Sequence, residues 1–455
     1  MSLRNPSRRG VLTAIGGSLV VAGSMTVQAS ADEQTADGPT VYIGSNENDP
    51  AVYAIDAADG AEKWRFETSA HVNSSPTVVD GTVYVGSRDN NVYAIDAVDG
   101  TEKWQYGTGT RVRSSPTVVD GTVYIGSYDG AVYALDAGDG TERWQFETDD
   151  SVRSSPAVVD GVCYVGSEDE YVYAIDADDG SEEWRFETGD AVWSSATVAE
   201  GIVYIGSNDN RLYALDAADG TEQWSFDEPS DGITPSPVVD DGVVYSGRDD
   251  LYAIDAADGT EQWRAGARFA YYGSPTVDGG TVYHGDTDSH IYATDATEGE
   301  EKWNFETGNW VQTTPTVYDG VVYVGSRDTY LYALDADDGE EEWRFDLGRE
   351  VTSSPTIVAD PAGGDSVGSR VEQGVLGHHN EWAEATTGAS IGPTDENRDE
   401  GEDEEETSDT GSTDDEPETD DSDGTPGFGL APSVATIMGV GYMLHRRRER
   451  GTRVD

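Results

Sequence analysis

Val52-Tyr53-Ala54-Ile55-Asp56-Ala57-Ala58-Asp59-Gly60-Ala61-Glu62-Lys63-Trp64 is the stretch whose reading decides the fold. It returns with few changes in seven more places, ending at Trp104, Trp144, Trp184, Trp224, Trp263, Trp303 and Trp343. The spacing is 40 residues throughout, except for one interval of 39 between Trp224 and Trp263. A period this regular means a repeat architecture, in which each unit buries its apolar surface against its neighbours.

Working outward, the stretch reads as a hairpin. Val52 to Ile55 has strand propensity. Asp56 to Gly60 is a turn, because Asp bonds its own backbone and Gly supplies the positive φ that a type I turn with a bulge requires. Glu62 to Phe66 alternates charged with aromatic, as a strand with one buried face does. Two more strand signals complete each unit: SSPTVVDG (Ser74–Gly81, Ser114–Gly121) and TVYVGS or TVYIGS (Thr82–Ser87, Thr122–Ser127). Each unit is thus four short antiparallel strands, and a four-stranded unit at this period is a propeller blade. Alternation, Gly and β-branched residues exclude a helical repeat. Counting gives eight strands of each kind, hence an all-β, eight-bladed propeller. The first unit, Thr40-Val41-Tyr42-Ile43-Gly44-Ser45, has no SSPTVV strand before it, and Val351–Val358 has no TVYVG strand after it. The C-terminal strand 351–358 is therefore expected to complete the N-terminal blade and close the ring.

Ala54, Asp56, Gly60 and Trp64 form the pattern A-x-D-x-x-x-G-x-x-x-W, repeated in every unit. It closely resembles the tryptophan-docking motif of the quinoprotein (PQQ-like) propeller family, over Pro39 to Val358. The resemblance implies that Trp64, Trp104, Trp144, Trp184, Trp224, Trp263, Trp303 and Trp343 pack between neighbouring blades as structural cement. It also implies that the SSPTVV strands line a central channel. An aromatic of this size, once per unit, is by itself best explained as inter-blade packing.

The net charge is −63 and the pI about 4.1, with acid in the loops of every unit. Such a surface resembles that of extreme halophiles. It argues against nucleic acid as a partner, since phosphate binding needs clustered Lys and Arg. The only cysteine, Cys163, stands where other units have Val or Ile; it reads as a buried hydrophobe, and no intramolecular disulfide is possible.

The ends carry addresses. Ser7-Arg8-Arg9-Gly10-Val11-Leu12 resembles a twin-arginine motif; the apolar run Val11–Val27 and a small-residue cleavage site ending at Ala31 complete a signal over residues 1–31. Residues 359–392 break the repeat and are expected to form an irregular tail that caps the propeller. Their His378-His379 pair has no ligand spacing beside it, so no metal is assigned. Residues 393–425 are an acidic spacer with no core-forming residues. Pro426-Gly427-Phe428, the apolar run Leu430–Leu444 and the basic end His445–Arg450 resemble the PGF-type sorting signal of archaeal surface proteins. The resemblance implies cleavage near Phe428 and a lipid anchor, with the propeller facing outward. The expected location is the outer face of the cell membrane.

Positions that match between units are scaffold; those that differ on one loop are free for function. The variable positions precede the channel strand: His71 and Asn73, Arg111 and Arg113, Ser151 and Arg153, Ala191 and Trp193, then Arg268, Tyr271 and Tyr272, Trp310 and Gln312, Glu350 and Thr352. Placed together they surround one mouth of the channel. Arginines and rings concentrated there suit a carboxylated, aromatic or sugar ligand; the plainer reading is a plug of side chains balancing acidic neighbours. Ala265–His290 is the most divergent stretch, with His284 where other units have Val or Ile.

Four functions compete on these residues. The first is a non-enzymatic binding or interaction scaffold, monomeric and without a cofactor, whose partner is a surface protein, glycan or small ligand. The second, implied by the family resemblance, is a dehydrogenase using PQQ with calcium. Against it stand a single cysteine, where the family's enzymes often have an adjacent pair, and short uniform loops. The third is a carbohydrate-binding propeller using the same aromatics. The fourth is calcium binding by turns such as Asp176–Gly180; a hairpin turn explains those residues without metal. The first is the expectation adopted, with no catalytic residue assigned.

Overall fold

The computed structural model describes residues 38–46, 50–266 and 273–367. The expectations for Arg8, Arg9 and Ala31, for Arg268, Tyr271 and Tyr272, for His378 and His379, and for Pro426, Gly427 and Phe428 fall outside these residues.

The TVYVG and VYAID segments carry almost no polar alternation because both faces of every blade are covered. In the first of them, Val41, Tyr42 and Ile43 are buried, and so are Val52, Ala54 and Ile55 in the second. Only the outermost strand of a blade alternates exposed with half-buried positions, as Glu62–Glu67 does. The result is eight antiparallel blades of four strands each arranged as a ring, one of them extended by a short fifth strand, with no helix among the described residues. In a typical blade the inner strand Thr77–Val79 pairs with Thr82–Gly86, which pairs with Asn91–Asp96, which pairs with Glu102–Gly107. Blades are numbered below by their tryptophans, from blade one (Trp64) to blade eight (Trp343).

Closure runs as expected, over a shorter strand. Thr356–Val358 is the inner strand of blade one, with Thr40 opposite Val358 and Tyr42 opposite Thr356. Ser366–Val367 then adds a fifth strand on its inner edge. Ser366 also bridges to blade two, its Oγ accepting from the Val78 N–H at 2.9 Å.

Two repeated interactions join the blades. Each tryptophan reaches into the next blade: Trp64 Nε1 donates to the Ala97 carbonyl at 3.0 Å, Trp104 to Ala137 at 2.9 Å, and Trp343 closes the series on Ala57 at 3.0 Å. The tyrosine of the TVY strand donates to the same carbonyl, as Tyr42 does to Ala97 at 2.9 Å. Glycine is needed where the indole lands. At Gly100, with φ of 74°, a Cβ would come within 2.8 Å of the Trp64 ring. The acids of the turn are occupied locally: Asp56 Oδ1 accepts from Ala58 N at 2.9 Å and Asp59 Oδ1 from Ala61 N at 3.0 Å.

The second interaction is a closed girdle around the channel. The backbone N–H of Ser75 donates to Ser115 Oγ, Ser115 to Ser155, Ser155 to Ser195, and Ser195 to Ser236. From there Ser236 donates to Ser274, Ser274 to Thr314, Thr314 to Ser354, and Ser354 back to Ser75. All these bonds are 2.9 to 3.2 Å long. The recurrent second hydroxyl of the S-S-P triplet is thus an acceptor for the preceding blade. Thr77 adds a parallel rung, donating to the Pro116 carbonyl at 2.7 Å.

Within the divergent stretch, His284 proves to be a core residue of blade seven. His284 is 4% exposed and stacks on Tyr292, with ring centroids 5.3 Å apart. Its Nε2 lies 3.3 Å from Thr294 Oγ1. Burial pulls its pKa down to about 3.

Removing Val351–Val358 takes the inner strand from blade one and, with Ser354, two bonds of the girdle. We expect the cooperative thermal transition to fall by tens of degrees or vanish; an unchanged melting temperature would refute closure as the source of stability. The buried His284 gives a pH signature. Its folded-state pKa lies below the ordinary value of about 6.5, so the unfolded chain binds the proton first. Stability is then complete above pH ~6.5 and declines as pH falls towards 3, by on the order of 5 kcal/mol at most. His284→Val should flatten that decline in denaturant unfolding measured between pH 7 and 4.

Candidate functional site

The girdle fixes the backbone two residues ahead of each bonded N–H, so one position per blade is delivered to the same mouth of the channel. That position reads Asn73, Arg113, Arg153 and Trp193 along consecutive inner-strand approaches. They line a cavity of about 310 Å³ at the ring centre, together with Thr234, Gln312 and Thr352. Arg113, Arg153 and Trp193 are therefore brought together as the sequence suggested. Arg111 and Trp310 belong to the same mouth but to the next position outward; neither lines the cavity. Trp310 is 41% exposed and faces the Arg327 guanidinium at 5.1 Å.

Sequence reading passed over a third contributor, the residue that follows the GS of each TVYVGS strand. In blades two to four these are Arg88, Tyr128 and Glu168. Tyr128 is the pivot of the arginine sector. The Arg111 guanidinium sits 4.3 Å from its ring centroid, and Arg113 donates to its hydroxyl at 3.2 Å. Arg153 lies over the Trp193 ring at 4.4 Å. Arg88 Nη1 is 3.5 Å from His71 Nδ1. The signal was available: in blades two to five these positions read Arg88, Tyr128, Glu168 and Asn208 while the flanking GS and Asp are unchanged. Thr234 was missed because a one-residue offset in its unit disguises the alignment.

Electrostatics divides the mouth. Arg327 pairs with Glu350 at 2.7 Å and Arg248 with Asp231 at 3.5 Å. Among the described residues Arg88, Arg111, Arg113 and Arg153 take part in no ion pair. The crowding has a cost. Burial lowers the pKa of Arg153; Arg113 and Arg111 add to the lowering while Tyr128 and Glu168 oppose it. Burial also lowers that of Arg88, with Arg113 and Arg111 contributing. Glu168 is shifted the other way, upward, by burial and by Asp150, against the pull of Arg153.

Hydrogen bonding is incomplete at the same place. Asn46 and Asn73 each donate an amide N–H to Thr352 Oγ1 at 2.6 Å. Their carbonyl oxygens, Trp193 Nε1 and Thr234 Oγ1 are buried with no partner among the described residues. Each such group costs about 1–3 kcal/mol when left unmet. Of these residues, Asn73, Trp193 and Thr234 line the cavity.

The opposite end of the channel differs. Asp240 and Asp278 occupy equivalent last positions of the inner strands of blades six and seven. Burial raises both pKa values; for Asp240, Asp241 and Asp278 add to the rise. Cys163 is fully buried in the blade core, and burial pushes its thiol up. No group of three or more His, Cys, Asp or Glu suited to a metal ion occurs among the described residues.

Comparison with known proteins agrees with this architecture. No curated protein matches the chain. Among solved structures, BamB from Moraxella catarrhalis superposes with a TM-score of 0.57 at 18% identity, over 65% of this chain and 96% of its own. The computationally designed Ika8 protein gives 0.57 at 16%, over 64% and 95%. The quinohemoprotein alcohol dehydrogenase ADHIIG from Pseudomonas putida HK5 gives 0.53 at 18%, over 63% and 70%. At these identities the likeness is one of fold. The model of the family described as outer membrane protein assembly factor BamB matches residues 10–150, 128–247, 229–309 and 306–361. With most of its length matched and its tryptophan-docked blades in place, the chain belongs to this PQQ-like, BamB-type β-propeller family.

Proposed function

We propose that this chain is a non-enzymatic binding propeller, exported and held at the cell surface, which engages an anionic group of its ligand or partner at the arginine-rich mouth. The observation that carries this reading is the sector of Arg88, Arg111, Arg113 and Arg153, without ion pairs among the described residues in a chain of net charge −63. Carboxylates stand on every loop, yet among the described residues none forms an ion pair with these four, and Glu168 acts on Arg111, Arg113 and Arg153 only at longer range. Like charges held close in a partly desolvated mouth repel one another, and an arriving anion relieves that repulsion.

The residues fit a quinone cofactor less well. The cavity is lined by arginine, tryptophan, amides and hydroxyls. A calcium ion beside the quinone asks for carboxylate oxygens, and none is among the described lining residues. The single thiol is sealed inside a blade. Export and anchoring rest on Arg8-Arg9, the small-residue site at Ala31 and the Pro426-Gly427-Phe428 signal with its basic end.

Two experiments test this. Citrate, a small trianion, should raise the melting temperature of the wild-type protein in proportion to the logarithm of its concentration. The Arg113→Gln/Arg153→Gln double variant should lose most of that rise. In parallel, PQQ with and without calcium should give no dye reduction with alcohols. Saturable PQQ binding with turnover would replace this reading by the dehydrogenase. For the location, Arg8→Lys/Arg9→Lys should leave precursor in the cytoplasm on cell fractionation; normal export would overturn the twin-arginine route.

A further inference from the structure

We infer that the guest of the mouth is a sugar acid, its carboxylate held between Arg113 and Arg153 and its hydroxyls by the neutral groups on the other sectors of the same ring. The inference rests on the reading of the mouth as an anion site and asks what else the anion must carry.

The ring position is chemically polarised. Its cations stand on two adjacent blades, Arg113 and Arg153, whereas the sectors at Asn73, Thr234, Gln312 and Thr352 are amides and hydroxyls. An anion on the arginine side therefore reaches across to neutral donors and acceptors. The unmet groups specify which. Trp193 Nε1 is a pure donor and calls for an oxygen. Asn73 Oδ1, a carbonyl oxygen, can only accept, and one of the two amide N–H groups beside it already goes to Thr352. Only a donor on the guest satisfies it. Thr234 Oγ1 can do either.

This set discriminates between ligand classes. Phosphate and sulfate meet the arginines and Trp193 but bring few or no donors for Asn73. A neutral sugar brings donors and acceptors but leaves the guanidiniums without a counter-charge. A polyhydroxylated carboxylate supplies charge, donors and acceptors together. The cavity of about 310 Å³ lies at the lower end of ligand pockets (~300–1,000 Å³), room for a mono- or disaccharide. The Arg153 guanidinium over the Trp193 face at 4.4 Å is pre-positioned, so the planar fork loses little freedom on meeting a carboxylate.

The test is calorimetric titration of the full chain with four probes: D-glucuronate, D-glucose, inorganic phosphate and PQQ. We expect saturable glucuronate binding at least tenfold tighter than glucose or phosphate. Arg153→Gln should weaken it tenfold or more, and Arg113→Lys, which keeps the charge but loses the fork, several-fold. Thr234→Val should weaken glucuronate several-fold and leave phosphate unchanged. Melting temperatures within a few degrees of wild type would show that the variants fold. Phosphate binding as tightly as glucuronate, with Thr234→Val silent, would overturn the sugar-acid inference and leave the anion site standing. Binding of neither anion would overturn both, and tight binding of PQQ alone would return the mouth to the cofactor.

Discussion

Everything in this molecule depends on the fact that a blade cannot bury its own faces. Four short strands make a sheet that is apolar on both sides, so each blade is stable only between two others. The indole of one blade and the glycine and alanine carbonyl of the next form the lock that enforces this. Trp64 fills the space that a Cβ on Gly100 would need, and its N–H meets Ala97. The bond itself contributes about 1 kcal/mol; burial of the ring contributes more. Repeated eight times and closed by Trp343 on Ala57, the lock makes stability a property of the ring.

The girdle does for the channel what the tryptophans do for the rim of the blades. A backbone N–H and a hydroxyl from adjacent blades hold the inner ends at one spacing, from Ser75 round to Ser354. Whatever residue stands two places earlier is then presented at the mouth whether or not it suits its neighbours. This is how Arg113 and Arg153 come to lie at one mouth with no close ion pair among the described residues, Glu168 acting on them only at longer range. A scaffold with such redundancy can hold an unfavourable cluster, because the cost falls on one position per blade while the locks lie elsewhere.

The scaffold was legible in the sequence for the same reason: it is repeated. Strand order, blade number, ring closure and the role of the tryptophans all follow from residues that recur at one spacing. The serines of S-S-P recur as faithfully, but their partners lie one blade away, and only the three-dimensional ring shows hydroxyl meeting backbone. The site was half legible. Variation marked Arg113, Arg153 and Trp193, and also Arg111 and Trp310, which the fold sends outward. The residues after the GS of each unit, Tyr128 above all, escaped notice because they sit on a different loop, brought to the mouth by the sheet rather than by the chain. His284 was conspicuous as an exception to the repeat, yet its exception is met inside the blade by Tyr292 and Thr294.

The acidic exterior and the cationic mouth act on a guest at different ranges. At low ionic strength the field of a chain at −63 extends ~10 Å or more from the surface and repels anions before they reach the channel. Near 1 M salt the screening length contracts to ~3 Å. The exterior then ceases to oppose approach, while the contacts of Arg113 and Arg153 inside the cavity, partly withdrawn from solvent, are screened far less. An arginine site normally weakens as salt is added. Here a repulsion and an attraction are screened to different degrees, and the longer-range repulsion is removed first. The charge of this chain and the chemistry of its mouth are therefore compatible at high salt: withdrawal of the arginines from solvent, and not the acidic exterior, lets the anion site work at an ionic strength where a site exposed on the surface would not.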